Sequence, residues 1–155
     1  MFVPASLGAN EFLQRAGAVA KHSAFVVKGC LRKYVIDAHG KEHIVQFAPE
    51  TWWLADASSL ANGTPSQYFI DAVEDSELLL LDPASHETLI EKVPGYADAF
   101  RRGLQKHAAA RDERIVSSLS ATAEERYMTF IAFSISFVRH CRIRDHSSSA
   151  VADGH

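Results

Sequence analysis

Three side chains of metal-ligand type lie close together around one turn of the sequence. His39, Glu42 and His43 carry imidazole nitrogens and a carboxylate, the groups that bind zinc and related metals. They flank a turn that contains Gly40, however, and they include no His-x-His pair. We therefore interpret them as surface residues of a hairpin, and we predict no metal site.

Nucleophilic catalysis has no supporting motif either. No serine or cysteine of the chain lies in a nucleophile elbow. Cys30 follows Gly29 and is predicted to be a small core residue. The second cysteine, Cys141, is distant in the sequence. A disulfide between the two stays open, but reduced thiols in the cytoplasm are the favoured interpretation. We predict no catalytic residues, and hence a protein that is not an enzyme.

One stretch has the features of a site where a ligand approaches the backbone. In WWLADASSLANGTPSQYFID, residues 52–71, two tryptophans precede small residues, an Asn-Gly-Thr-Pro-Ser turn and an alternating apolar run. Small side chains beside a turn leave room for a ligand, but the same pattern suits an ordinary corner between strands. We expect one of Trp52 and Trp53 to pack in the core and the other to line a cavity or a helix interface.

The composition limits the kind of protein that can carry such a stretch. The chain has 155 residues, 47% hydrophobic and 23% charged, which suffices for one domain with its own core. Its formal net charge of −3 argues against a nucleic-acid binder, which is usually basic. No apolar run reaches the roughly 18 residues of a membrane span, and the N-terminus does not resemble a signal peptide. We predict a cytoplasmic protein that does not enter a membrane.

The first two thirds of the sequence predict short strands joined by turns. Within residues 30–37, the two-residue period of a strand puts Leu31 and Lys33 on one face and Arg32 and Tyr34 on the other. Several strands at close, regular spacing favour a sandwich or a roll over a βαβ fold. The predicted strands are residues 23–29, 30–37, 43–47, 67–73 and 77–81.

Helices are predicted after the last of these strands. Asp82 as N-cap and Pro83 at the first helical position predict a helix that ends at the Val-Pro-Gly of residues 93–95. A longer helix is predicted from Tyr96, because one face recurs every three or four residues. We expect this face to form a dimer interface, with packing against the protein's own sheet as the alternative. Its residues are Phe100, Leu104, Ala108, Arg111, Ile115 and Leu119.

The end of the chain changes character. Ser120 or Thr122 is predicted to cap a further helix, because Glu124 and Glu125 suit its positive end. A basic segment and a small, polar tail follow at residues 139–155, and the tail is expected to be disordered.

The order of these segments resembles the cyclic nucleotide-binding domain of bacterial Crp/Fnr-type transcription regulators. The resemblance rests on FLQRAG (12–17), AFVVKGCLRKYVIDAHGKEHIVQFAPETWW (24–53), SQYFIDAVEDSELLLL (66–81) and AEERYMTF (123–130). It implies a mainly β fold with flanking helices: a double-stranded β-helix, or jelly-roll-like β-roll, of about eight strands, followed by a long dimerisation helix. Gly17, Gly29 and Gly40 would lie in tight turns of the roll.

The resemblance divides the chain into three parts. Residues 1–95 would form the cyclic nucleotide-binding-like β-roll, and residues 96–119 the dimerisation helix. Residues 120–155 would hold the start of the family's hinge helix and the atypical tail.

The resemblance also places the stretch at 52–71 at the family's phosphate-binding cassette. There a short helix directs backbone N–H groups at a cyclic phosphate, an acidic residue holds the ribose, and an arginine followed by a small polar residue holds the phosphate. The acidic pair corresponds to Ala55-Asp56, and the arginine pair to Pro65-Ser66. The implied ligand-binding residues in this stretch are Trp53, Ala55, Asp56, Ser66 and Gln67.

Two residues of this stretch depart from the family pattern. Asp56 is shorter than the glutamate it replaces, and Pro65 offers neither a charge nor an N–H group. Losing a charge-assisted hydrogen bond of about 1.5–3 kcal/mol weakens binding roughly ten- to a hundredfold. No arginine or lysine lies between Lys41 and Lys92 to replace it. We therefore expect a degenerate pocket whose effector is a cyclic nucleotide, another small anion, or absent.

The long helix offers a second group of ligand-binding candidates. The helix register implied by the resemblance brings Arg111 and Asp112 toward the base of the ligand. Arg111 would then supply the missing positive charge; alternatively, it is a solvated residue or an ion pair across the dimer.

The family's full-length members continue after Glu-Arg-Tyr into a winged helix-turn-helix that reads DNA. Residues from 131 onward do not resemble that domain, which suggests a truncated or frameshifted product. DNA is therefore a partner by family resemblance only.

Our first functional hypothesis is an effector-sensing and dimerisation module of a Crp/Fnr-type, cAMP-receptor-like regulator. It would act as a homodimer with a small-molecule effector. The alternative is a stand-alone dimeric interaction domain with no ligand. A cupin-like metalloenzyme is a third and weaker hypothesis, because the histidines lack the His-x-His spacing of that class.

Overall fold

The computed structural model describes residues 1–120, 122, 124, 125, 127 and 128. Within this part of the chain, short strands dominate the first 81 residues, and helices follow them. The strands are β1 Val3–Leu7, β2 Phe12–Gln14, β3 Ser23–Lys28, β4 Leu31–Ile36, β5 Glu42–Ala48, β6 Trp53–Leu54, β7 Phe69–Ala72 and β8 Ser76–Leu81. The helices are α1 Ala57–Asn62, α2 Pro83–Lys92 and α3 Tyr96–Ser120.

The strands form two four-stranded antiparallel sheets. The first sheet has the order β1-β8-β3-β6, and the second has the order β2-β7-β4-β5. Strands that are neighbours in a sheet are mostly distant in sequence, which is typical of a roll rather than a meander. The predicted β-roll is confirmed, and all five strands predicted from the residue pattern are present within one or two residues of their expected bounds.

The core lies between the inner faces of the two sheets. Each strand contributes alternate side chains to it, since successive residues of a strand point to opposite faces. The first sheet contributes Ala24, Val26, Leu54 and Leu78, and the second contributes Leu31, Ala48, Ile70 and Ala72. All eight are nearly inaccessible to solvent, so this packing fixes which face of each strand turns inward.

The helix signals of the sequence are confirmed. The Asp82 carboxylate accepts a hydrogen bond from the Ser85 N–H at 2.8 Å, and Pro83 is the first residue of α2. The predicted long helix begins at Tyr96 and continues for 25 residues. Beyond it, the Thr122 N–H donates to Glu125 at 2.7 Å and the Glu125 N–H donates to Thr122 Oγ1 at 3.2 Å. This reciprocal pair is a capping box, as the sequence predicted.

The chain divides into two compact units, and the boundary lies between Leu104 and Gln105. The first unit contains both sheets, α1, α2 and the first residues of α3. The predictions for the tail at 139–155 and for Cys141 fall outside the described residues.

Candidate functional site

A cavity of about 400 Å³ opens to solvent beside α1. Its volume lies in the range of small-molecule sites. The stretch at 52–71 supplies most of its wall, together with one residue of β4. The lining residues are Lys33, Asp56, Ala57, Ser58, Ser59, Thr64, Pro65, Gln67 and Tyr68.

Asp56 is the N-cap of α1. Its backbone is extended (φ −95°, ψ 92°), and its carboxylate accepts a hydrogen bond from the Ser59 N–H at 3.2 Å. Its side chain is almost fully buried. The carboxylate therefore uses an N–H group that a bound anion would otherwise need, and it brings a negative charge to this end of the helix.

Ser59 fixes α1 to the rest of the roll. It is buried, and its Oγ accepts a hydrogen bond from the Ala20 N–H at 2.8 Å and donates one to the Thr64 carbonyl at 2.5 Å. The helix ends at Gly63, whose φ of 64° lets its N–H return to the Ser59 carbonyl at 2.9 Å. These bonds hold the wall of the cavity in place.

Pro65 and Ser66 are held by the segment that follows β2. Pro65 forms a β-bridge with Val19, and the Ser66 N–H donates to the Ala18 carbonyl at 2.9 Å. Ser66 is buried and its Oγ accepts a bond from the Tyr68 N–H at 3.0 Å, so it lies behind the cavity wall. Pro65 itself lines the cavity and presents no donor there.

Lys33 brings a positive charge to the cavity. It lies on β4, and its Nζ donates a hydrogen bond to the Ala55 carbonyl at 3.0 Å and lies 4.6 Å from the centre of the Tyr68 ring. The ring face attracts the ammonium group. Lys33 was not predicted as a ligand-binding residue, because it lies outside the segment between Lys41 and Lys92 in which a replacement cation was expected. The sequence did contain a signal for Lys33. The two-residue period of the strand places it on the same face as Leu31, which is a buried core residue.

The neighbouring residue Arg32 lies on the opposite face of the sheet. Its guanidinium forms a two-bond ion pair with buried Asp71, at 2.7 and 3.0 Å, and the Tyr34 hydroxyl donates to the same carboxylate at 3.1 Å. The hydrogen bond to Asp71 raises the pKa of Arg32, and burial is the main cause that raises the pKa of Tyr34. This set of charges is paired within the fold, and we assign it a structural role.

Of the predicted ligand-binding residues, the structure brings Asp56 and Gln67 to the cavity lining. Ala55 contributes its carbonyl oxygen to Lys33. Trp53 does not line the cavity: its ring packs 5.3 Å from that of Phe25 and 5.9 Å from that of Phe100. Phe100 also lies 4.4 Å from the ring of His86, so the start of α3 joins an aromatic cluster of the first unit.

Arg111 and Asp112 lie on α3 in the second unit, and both are exposed. Apolar residues of the predicted interface are also exposed: Leu104 by 53%, Ile115 by 50% and Leu119 by 83%. Phe100, which was also predicted for this interface, instead packs against Trp53 and His86 within the first unit. The dimer interface along the rest of the face stays a prediction.

Two of the three residues of metal-ligand type around the hairpin turn bind other groups through their side chains. Glu42 forms an ion pair with Arg32 at 2.9 Å, and His43 Nε2 lies 2.7 Å from the Asp37 carboxylate. Among the described residues, no group of three or more histidine, cysteine or acidic side chains is arranged to hold a metal ion. In the same part of the chain, no helix has the length and apolar character that crossing a bilayer requires.

Comparisons with known proteins agree on the fold. Residues 4–93 match the cyclic nucleotide-binding domain family. No curated protein sequence matches the chain significantly. Among solved structures, FixK2 from Bradyrhizobium japonicum is similar with a TM-score of 0.68 and 19% identity, over 85% of this chain and 65% of that one.

Two further structures have the same fold. The catabolite activator protein of Thermus thermophilus is similar with a TM-score of 0.60 and 20% identity, over 74% of this chain and 53% of that one. Oxidized CprK in complex with o-chlorophenolacetic acid has a TM-score of 0.61 and 12% identity, over 76% of this chain and 48% of that one. The chain thus spans about half to two thirds of the length of these three proteins.

Proposed function

Because the chain belongs to the cyclic nucleotide-binding domain family, we propose that it is the effector-sensing and dimerisation module of a Crp/Fnr-type transcription regulator. The module performs no catalysis and works in the cytoplasm as a homodimer joined along α3. Effector binding in the roll biases the arrangement of the paired helices. In a complete regulator, that bias is transmitted to DNA-reading domains, which is a coupling between two distinct sites.

The observation that carries this proposal is the cavity beside α1. It lies at the position where the family's ligand-binding stretch was expected, and its lining includes a lysine, two serines and a threonine. A few polar groups converging on a concave site are typical of small-molecule binding. The site is degenerate relative to the family pattern, because Pro65 replaces the arginine and Asp56 caps the helix itself.

The range of effectors extends beyond cyclic nucleotides. One similar structure, CprK, was solved with o-chlorophenolacetic acid, so a protein of this fold is found with an organic acid. This supports testing organic acids alongside cyclic AMP and cyclic GMP.

A thermal melt with a set of small ligands tests the proposal. The set is cyclic AMP, cyclic GMP and several organic acids at millimolar concentration. A ligand at 100 times its dissociation constant stabilises the folded state by about 2.7 kcal/mol. Ser58→Trp should fill the cavity and remove the shift. Ala61→Trp is the matched control, because Ala61 is also exposed on α1 but does not line the cavity.

A stand-alone dimeric domain with no ligand is the second candidate, and the Asp56 cap favours it. That carboxylate accepts a hydrogen bond from the Ser59 N–H, so this N-terminal donor of α1 is paired without a ligand. A folded dimer whose melting temperature responds to none of the ligands would support this candidate and contradict the sensor.

A further inference from the structure

Three polar side chains lie in one row across the inner face of the second sheet. Strand pairing sets Gln14 opposite Ile70, Ile70 opposite Lys33, and Lys33 opposite Gln46. Residues directly opposite each other in a sheet share a face, so all four point toward the interior of the roll. We call this the inner row.

The next row along the same face is entirely apolar. Ala72, Leu31 and Ala48 are paired in the same way, and each is fully buried. The polar side chains thus lie in the inner row and not in this neighbouring row. Lys33 in this row lines the cavity directly, so the polar end of the interior adjoins the cavity.

Gln14 adds an unsatisfied donor to this row. Its Nε2 is buried, and among the described residues it has no hydrogen-bond partner. Buried donors are nearly always paired, and an exception requires an explanation such as a bound water or ligand. Ile70 separates Gln14 from Lys33 in the row, and Gln14 does not line the cavity, so Lys33 is the member of the row that a ligand in the cavity can contact.

The other side of the cavity disfavours a phosphate group. The Ser59 N–H is bonded to the Asp56 carboxylate, and Pro65 has no N–H to offer. Each additional negative charge on a ligand would also be repelled by Asp56. Lys33 is the cation of the lining, so it is the lining residue that can attract a negatively charged group.

A carboxylate satisfies these conditions with a single charge and only two oxygen atoms, both acceptors. The remaining body of the ligand would lie against the apolar surfaces of Ala57, Pro65 and the Tyr68 ring. Lys33 is a point charge, and it requires no fixed planar geometry from its partner.

We propose that the cavity binds a small monocarboxylate with an apolar body, and that Lys33 supplies the charge that selects it. This inference rests on the proposed sensing function and names the ligand class of the same site. The selecting charge then comes from β4, whereas the stretch at 52–71 supplies most of the cavity wall.

Calorimetric titration with phenylacetate, its neutral analogue phenylacetamide, and cyclic AMP tests this proposal. Wild-type protein should bind phenylacetate at least tenfold more tightly than either of the others. Lys33→Met should weaken phenylacetate roughly ten- to a hundredfold, whereas Lys33→Arg should stay within tenfold of wild type. Lys28→Met is the matched control. Lys28 is an exposed lysine on β3, the strand that precedes β4 in the sequence.

The outcomes separate the two proposals. Equal affinity of wild-type protein for phenylacetate and phenylacetamide would overturn the carboxylate inference, even where Lys33→Met did not fold. Tight cyclic AMP binding without phenylacetate binding would overturn it too, while leaving the sensing function intact. Binding that is unchanged in Lys33→Met would exclude Lys33 as the selecting charge. Absence of binding by any organic acid or cyclic nucleotide would instead overturn the sensing function and the inference with it.

Discussion

Arg32 and Lys33 are adjacent cations with different surroundings, because a strand turns successive side chains to opposite faces. The outward residue is held by Asp71 and Glu42, and its charge is balanced within the fold. The inward residue reaches the cavity and the Tyr68 ring. At the scale of single residues, therefore, position on the strand decides whether a basic side chain pairs with carboxylates on the outer face or reaches the cavity.

Gly29 shows how closely two chain segments approach in the roll. Its φ is +91°, and a Cβ added there would lie 2.7 Å from the Asp75 carbonyl oxygen and 2.8 Å from the Ser76 Cα. Gly17 has nearly the same φ, +89°, with no atom within 4 Å of an added Cβ. Both Ala variants should lose about 1–2 kcal/mol from the left-handed backbone. Gly29→Ala should lose a further 1–3 kcal/mol or so from overpacking.

Urea unfolding of the two variants measures this difference. Since the backbone strain is shared, the gap between them isolates the steric contact with residues 75 and 76. Equal stabilities would show that the close approach at Gly29 does not constrain the fold.

Asp37 gives the hairpin between β4 and β5 a dependence on pH. The His43 ring, followed by the Lys41 and His39 N–H groups, lowers the pKa of Asp37 from 3.8 to about 2. A folded-state pKa below the unfolded value means that the ionised carboxylate stabilises the fold above about pH 4. That contribution is lost as the pH falls from about 4 through about 2. A carboxyl-carbon NMR titration should give the lowered pKa directly.

His43→Ala should raise the pKa of Asp37 toward its ordinary value, because the largest of the three hydrogen bonds is removed. The two backbone donors remain, so part of the shift should persist. A pKa unchanged by this substitution would contradict the assigned cause.

At the scale of elements, α1 is a six-residue helix that depends on its ends. An isolated helix this short is not stable in water, so its cap and its anchors must hold it. Asp56 closes the N-terminus, and Ser59 ties the helix to Ala20 and Thr64. The family resemblance led us to expect a sugar-binding acid at Asp56; the structure gives it a capping role that needs no ligand.

Substitutions at Asp56 separate capping from ligand binding. Asp56→Ala should cost about 0.5–2 kcal/mol, whereas Asp56→Asn should cost little, because both Asp and Asn are good N-caps. Asp82 at the start of α2 offers a matched pair of variants, since it caps its helix in the same way. Urea unfolding measures all four. Equal losses for Ala and Asn at Asp56 would contradict the capping role.

Local signals in the sequence predicted most helices and strands, whereas contacts between residues distant in sequence could not be predicted. Asp82 and Pro83 marked the start of α2 because a cap acts within four residues. The strand β6 has two residues and leaves too little pattern to detect. Lys33 forms a hydrogen bond to Ala55, which is 22 positions away in the sequence, and Arg32 forms one to Asp71, which is 39 positions away. Such contacts depend on sheet order, which a period of two along one strand does not specify.

At the scale of the whole molecule, the predicted homodimer depends on α3. Ile115 and Leu119 lie on the predicted dimer face, and both are substantially exposed in the single chain. Val116 is also apolar and 61% exposed, but it lies about 100° around the helix from Ile115. The centre and the edge of the predicted face thus provide a test and its control.

We expect wild-type protein to sediment as a dimer at tens of micromolar. Ile115→Glu combined with Leu119→Glu should shift it to monomer, because charges would be buried without partners in a helix seam. Val116→Glu should weaken the dimer less than the double substitution, since that position lies at the edge of the stripe, about 100° from Ile115 and about 60° from Leu119. Circular dichroism should show the same helix content in each variant, so that loss of dimer is not loss of fold. A monomeric wild-type protein would contradict the proposed assembly, and dissociation by Val116→Glu alone would move the interface toward the Val116 side of α3.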